Sequence, residues 1–248
     1  MTDTAAATAT TGHVFSGEGL DLGTLTLMLE ALDDFVGAAL TPERMLRAYG
    51  RGIFPMAEAR DSDELHWVEP RLRGIIPLEG FHISRSLGRR IRRGGHEVTV
   101  NGDFAGVVAA CAERPETWIN DRLAALYGGL HRIGHAHSLE IRREGRLVGG
   151  VFGVTLGRVF CGETMFSRET DASKIALAYL VDRLRQAGFV LFDTQFQTPH
   201  LASLGGIEIE QADYLRRLAA ALTGAPADFT APALPAPYLL MQRMTQMS

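Results

Sequence analysis

The residues whose types and spacing could do chemistry fall in two short segments. Asp193 and Gln195 stand two apart in the apolar run Phe189 to Gln195, which reads as a strand. Successive strand side chains point to opposite faces, so the carboxylate and the amide share one face while Phe192, Thr194 and Phe196 take the other. The same parity over Arg158 to Phe166 groups Cys161, Glu163 and Met165. An acid among apolar neighbours is costly unless it is hydrogen-bonded or put to use. A structural acid bonded to nearby backbone is the competing reading for either one, and two such acids in one small sheet weaken it. The set suits aminolysis of an ester. An α-amine with a pKa of about 7.7 to 8.0 is partly protonated at neutral pH and must shed protons to form an amide. A carboxylate can orient it and accept a proton, while an amide side chain relays that hydrogen bond or holds the carbonyl.

These residues need a sheet to hold them, and the flanking pattern supplies one. Thr41 caps a helix beginning at Pro42 that carries Met45, Leu46 and Tyr49 on one face. An arginine-rich helix spans about 84 to 93, stopped by Gly94-Gly95 and followed by a strand at Glu97 to Val100. Helices are expected at Phe104 to Ala112 and Asp121 to Ile133, the second with Leu123, Leu126, Tyr127 and Leu130 as its apolar stripe. Three strands follow, Ser138 to Arg142, Leu147 to Thr155 and Arg158 to Phe166, joined by tight turns at Glu144-Gly145 and Leu156-Gly157. Ser173 caps a helix ending at Gly188, the Asp193 strand comes next, and a last helix covers Gln211 to Leu222. The order predicts an α+β, acetyltransferase-like (GNAT-like) mixed sheet with flanking helices, in which a ligand lies where two strands splay apart. The expected division is a flexible tail over 1–19, a small N-terminal domain over 20–75, the catalytic domain over 76–225, and a Pro/Ala-rich tail over 226–248.

Composition bounds the possibilities. A chain of 248 residues with 46% hydrophobic content can bury a full core. No run approaches the roughly 18 apolar residues of a membrane span, and the start lacks a basic region followed by an apolar one, so a cytoplasmic protein is expected. Cys111 and Cys161 are read as reduced thiols. A net charge of -4 argues against non-specific coating of nucleic acid. A local basic patch stands out nonetheless, with Arg71, Arg73, Arg85, Arg89, Arg90, Arg92 and Arg93 in one stretch. His131, His135 and His137 do not make a metal site, because Gly134 interrupts the helix between them.

At Gly162-Glu163-Thr164-Met165-Phe166-Ser167, Ala172-Ser173-Lys174, Asp193-Thr194-Gln195 and His200 to Gly205, the chain resembles leucyl/phenylalanyl-tRNA-protein transferases. Ala48 to Pro55, His82 to Ser86, Thr117-Trp118-Ile119 and Leu130 to Ser138 are similar to that family's upstream motifs in the same order, so the likeness covers about residues 40 to 215. The resemblance implies transfer of Leu or Phe, with Met a further candidate, from charged tRNA to the N-terminus of proteins beginning with Arg or Lys. That transfer marks them for degradation in the N-degron pathway. It implies no metal and no diffusible cofactor, and a monomer is expected. It places Asp193 and Gln195 in the proton relay and Glu163 beside the acceptor amine, with Asp193 carrying the main catalytic role. Trp118 and Met56 fall at adenosine-binding positions, and aromatic stacking on a base contributes about 1–3 kcal/mol. Met56 stands where the family commonly has tryptophan, and a methionine packs without π-stacking. Arg85, Arg89 and Arg92 share a helix face as phosphate contacts, with a solvated surface as the alternative. Val151, Phe160, Met165, Leu177, Leu180 and Phe192 are expected to form the aminoacyl pocket, although core packing would explain each of them. Two other functions remain open on sequence: an acetyl-CoA-dependent N-acetyltransferase, and an RNA-binding module using the arginine patch. A related transferase accepting acidic N-termini is a third.

Overall fold

The computed structural model describes residues 40–62, 65–114 and 117–245. The expected tail over 1–19 lies outside the described residues, as do 20–39. The chain opens with helix α1 (Pro42–Gly50), where Thr41 Oγ1 accepts from Arg44 N at 3.3 Å and Pro42 takes the first turn, in which its missing N–H costs nothing. Strands β1 (Phe54–Ala57) and β2 (Leu65–Val68) pair antiparallel in a small sheet of their own.

The main sheet has seven strands: β3 (Leu72–Ile75), β4 (Glu97–Val100), β5 (Ala136–Arg143), β6 (Arg146–Leu156), β7 (Val159–Ser167), β8 (Leu191–Gln195) and β9 (Ile207–Glu210). Their spatial order is β4-β5-β6-β7-β8-β3-β9, antiparallel throughout except for the parallel pair β7 and β8. That parallel pair is joined by helix α5, numbered after α2 (Arg85–Arg93), α3 (Phe104–Ala112) and α4 (Asp121–Arg132) and spanning Ala172–Ala187. The short α6 (Pro199–Ala202), α7 (Gln211–Ala221) and α8 (Pro237–Thr245) complete the fold. This is the mixed acetyltransferase-like sheet that the element order predicts. The β5–β6 turn falls at Glu144-Gly145, both with positive φ (50° and 74°), as expected for a tight hairpin. The β6–β7 turn is Gly157-Arg158, one residue later than the pattern suggests, because Leu156 stays in register opposite Val159.

Helices cover both faces. Val151, Phe160 and Phe192 pack under α5, α2 and α8, while Phe152, Val154 and Cys161 pack under α1, α3, α4 and α7. Gly149 permits the close approach of α5, since a Cβ there would lie 2.5 Å from that of Ala172. The sequence boundary at residue 75 falls at the end of β3, which pairs with β8 and β9 in the main sheet. Tyr49 of α1 and Phe54 of β1 also join the core that lies against that sheet.

Residues 226–245, expected as part of a tail, pack against the core. Phe229 is buried and stacks on Phe160 with centroids 5.5 Å apart, α8 buries Leu240, Met241 and Met244, and Arg183 donates to the Phe229 and Pro232 carbonyls. Among the described residues no helix is long and apolar enough to cross a membrane.

Candidate active site

Strands β7 and β8 pair from Val159 opposite Leu191 as far as Cys161 opposite Asp193, and then part. On its other edge β8 pairs with β3, Ile75 opposite Asp193 and Gly74 opposite Gln195. A cleft of about 760 Å³ opens between the separated ends, lined by Glu163 to Arg168 on one side and by Thr194, Gln195 and Phe196 on the other. Its position is the one the fold class assigns to a ligand.

A β-bulge sets Glu163. Phe152 pairs with Thr164 and Gly153 with Gly162, so Glu163 is the extra residue with no partner across the ladder. The bulge overturns the simple parity that groups Glu163 with Met165. Glu163 turns toward the α1 and α4 side, while Met165 packs against the opposite cluster. Tyr49 Oη donates to Glu163 Oε1 at 2.7 Å, and Tyr127 Oη and Gln195 Nε2 donate to Oε2 at 2.8 and 3.1 Å. A carboxylate offers about four acceptor positions, so one of them, on Oε1, has no donor among the described residues. Burial pushes the Glu163 carboxyl up to about 7, against the three hydrogen bonds that favour its ionised form, and Asp193 adds to the rise. Burial beside that acid also holds the Tyr49 and Tyr127 hydroxyls well above the usual phenol range.

Asp193 differs from its expected place. Its Oδ1 accepts from Arg73 Nε and Gln195 N, both at 2.8 Å, and its Oδ2 from Arg73 NH2 at 2.6 Å and Tyr214 Oη at 2.8 Å. All four acceptor positions are filled, the residue is 0% exposed, and it does not line the cleft. Asp193 therefore stands behind Gln195 rather than beside it at the surface. Gln195 itself is left-handed with φ 63°, a conformation costing a non-glycine residue roughly 1–2 kcal/mol, and the hydrogen bond from its N–H to Asp193 helps to hold it.

Glu163, Gln195, Met165, Met56 and Trp118 line the cleft. Trp118 stands edge-on to Tyr127, centroids 6.2 Å apart. Val151, Phe160, Leu177, Leu180 and Phe192 do not line it; each is at most 3% exposed and packed in the core between α5 and the sheet, so of the six residues expected to form the aminoacyl pocket the cleft brings in Met165. Arg85, Arg89 and Arg92 lie exposed on α2, outside the cleft, while Arg90 of that helix pairs with Asp171 at 3.0 Å, two residues before the cleft-lining Ser173. Lys174 lies 3.4 Å from the same Asp171. The histidines diverge: His131 meets the Ala136 carbonyl, His135 the Thr155 carbonyl and His137 Asn101.

Sequence reasoning missed Tyr49, Tyr127, Tyr214 and Arg73 as members of the site. The tyrosines carried a usable signal, because a buried phenol needs a hydrogen-bond partner and helical periodicity already buries Tyr49 and Tyr127. Arg73 carried none; counted with the basic patch, it is 1% exposed beneath the sheet. Arg114 and Arg168 also line the cleft, Arg114 donating to the Met165 carbonyl and Arg168 pairing with Glu113 at 2.6 Å. Thr194 adds a buried hydroxyl without a partner.

A mixed sheet whose parallel strands part over a buried, titrating carboxylate is the scaffold of an acetyltransferase-like acyl-transfer enzyme. Residues 75–219 match the family described as leucyl/phenylalanyl-tRNA protein transferase, and residues 38–71 match that family's N-terminal domain. A leucyl/phenylalanyl-tRNA--protein transferase of Cereibacter sphaeroides is 66% identical over 211 residues, spanning 85% of this chain and 98% of the relative. One from Ruegeria pomeroyi is 60% identical over 210 residues, spanning 85% and 100%. Among solved structures, FemX aligns with a TM-score of 0.49 at 12% identity, over 76% of this chain and 75% of that one. The chain belongs to the leucyl/phenylalanyl-tRNA-protein transferase family.

Proposed function

We propose that this protein moves leucine or phenylalanine from aminoacyl-tRNA to the N-terminal amine of proteins beginning with Arg or Lys, in the cytoplasm, and so marks them for degradation. The observation that carries the reading is Glu163: a cleft-lining carboxylate with one acceptor position lacking a donor among the described residues and a pKa of about 7. An α-ammonium titrates at about 7.7 to 8.0, so passing its proton to Glu163 is uphill by only about one unit, or ~1.4 kcal/mol. The freed amine attacks the ester carbonyl, the N–C bond forms, the C–O bond to the ribose breaks, and the nitrogen's second departing proton leaves on the ribose oxygen. Glu163 orients the amine and accepts its first proton; Gln195, bonded to Glu163, steadies that geometry; Asp193 positions Gln195. Trp118 and Met56 offer the cleft surfaces for the terminal adenosine, and the exposed arginines of α2 supply phosphate contacts.

Purified protein given leucyl- or phenylalanyl-tRNA and a peptide beginning with Arg is expected to yield the peptide extended by one residue, read by mass spectrometry. Failure with both charged tRNAs sinks the proposal, and transfer from acetyl-CoA in their place redirects it to N-acetylation.

A further inference from the structure

Arg73 falls between the two segments that match the family, residues 38–71 and 75–219. Its guanidinium is nevertheless fixed on every side. Nε and NH2 hold the two oxygens of Asp193, NH1 donates to the Gly52 carbonyl at 2.8 Å, and the rings of Phe54 and Tyr214 lie 4.8 and 4.3 Å from its central carbon. Burial works against its charge, and Asp193 overrides that effect, so the guanidinium holds its proton more tightly than usual. A fork gripping both carboxylate oxygens fixes the plane of the carboxylate, which a single ammonium cannot do. The plane matters because Asp193 Oδ1 is the acceptor for the N–H of left-handed Gln195.

We propose that Arg73 is a positioning residue for the transfer reaction: by locking Asp193 it holds Gln195 in its left-handed turn and thereby aims the Gln195 amide at Glu163. The proposal rests on the functional reading above. With the fork gone, Asp193 can rotate, Gln195 relaxes toward an ordinary φ, and Nε2 leaves Glu163 Oε2. The groups facing Glu163 are Tyr49 of α1, Tyr127 of α4, Cys161 of β7, and Gln195 and Asp193 of β8. Of its three donors Gln195 is the one tied to Arg73 through Asp193, while Arg73 also holds the Gly52 carbonyl, three residues beyond Tyr49. Losing that donor removes a bond that favours the ionised carboxylate, so the Glu163 titration moves upward.

The test compares wild type, Arg73→Lys and Tyr214→Phe in leucyl transfer from mildly acid to mildly alkaline pH. Arg73→Lys is expected to lower kcat by about 10–100-fold through misplacement of Gln195, leave the KM for leucyl-tRNA nearly unchanged, and shift the acid limb of kcat to higher pH. Wild-type kcat, or a fall in kcat with the acid limb unmoved, overturns the proposal. Tyr214→Phe removes one donor from Asp193 Oδ2 and leaves the fork whole, so its acid limb is expected to stay close to that of wild type; a shift as large as that of Arg73→Lys assigns the lock to Tyr214 and overturns the proposal. Should Arg73→Lys fail to fold, Arg73→Gln, which also removes the fork, carries the test with the same outcomes. Isotope-edited infrared titration of the Glu163 carboxyl, assigned by its loss in Glu163→Gln, needs no substrate. If wild type transfers nothing while this titration still rises in Arg73→Lys, the functional reading falls and the lock stands. If transfer occurs but the titration does not move, the lock falls alone.

Discussion

Replacing Glu163 with glutamine keeps the shape of the side chain and removes its titration, which makes the burial of this acid measurable as stability. The folded carboxyl titrates at about 7, against an ordinary value of 4.5. A difference of about 2.5 units at 1.36 kcal/mol per unit is ~3 kcal/mol. The folded pKa is raised, so the acid's contribution is fully present below about pH 4.5, where both states are protonated. It is lost as pH rises through about 7, because the unfolded chain ionises this group first. Wild type should therefore lose ~3 kcal/mol relative to Glu163→Gln between about pH 4.5 and 7, with the difference flat on either side. Groups common to both proteins cancel in the subtraction. The glutamine oxygen can accept from Tyr49, and its NH2 can donate to Tyr127 Oη and to the Gln195 oxygen once that amide turns over, so the variant is expected to fold. Urea unfolding of both proteins across this pH range gives the difference directly. A pH-independent difference, or one that grows in favour of wild type with rising pH, would refute the raised titration and with it the matching of Glu163 to an α-amine.

Two further outcomes follow from the packing. Trp118→Ala should raise the KM for charged tRNA by about 5–150-fold, the equivalent of 1–3 kcal/mol of base stacking, with Trp118→Phe intermediate; an unchanged KM would return Trp118 to a packing role beside Tyr127. Leu240→Ala, which empties a fully buried site on α8, should cost ~2–5 kcal/mol in thermal or urea unfolding while leaving kcat per folded molecule unchanged; wild-type stability would mean that the C-terminal helix does not share the core.

The local grammar of the chain was readable because it is written in near neighbours. The cap at Thr41, the Glu144-Gly145 turn, and the strands from β5 to β8 all follow from residues a few positions apart, whereas the expected cap Ser173 lies inside the first turn of α5, which starts after left-handed Asp171. Strand parity failed at Glu163, where the bulge depends on a register with β6 that the β7 sequence does not encode by itself. Parity also could not show that Asp193 is saturated, because its partners Arg73 and Tyr214 lie 120 and 21 residues away. Apolar identity located the residues around the cleft but could not separate wall from core, which is why Phe160 and Leu180 were expected beside Met165. The Pro/Ala-rich composition of the C-terminal segment concealed Phe229 and the apolar side of α8, since its helix is short and its burial is decided by contact with α2 and α5.

The central claim is that Glu163 receives the proton of the acceptor amine. The direct measurement is the single-turnover rate of leucyl transfer from charged tRNA to an Arg-initiated peptide, followed against pH in wild type and Glu163→Gln. The predicted wild-type rate rises through an acid limb near 7, and the variant is slower by about 10²–10⁴-fold with that limb absent. A variant that transfers leucine at the wild-type rate with the same acid limb would contradict the assignment.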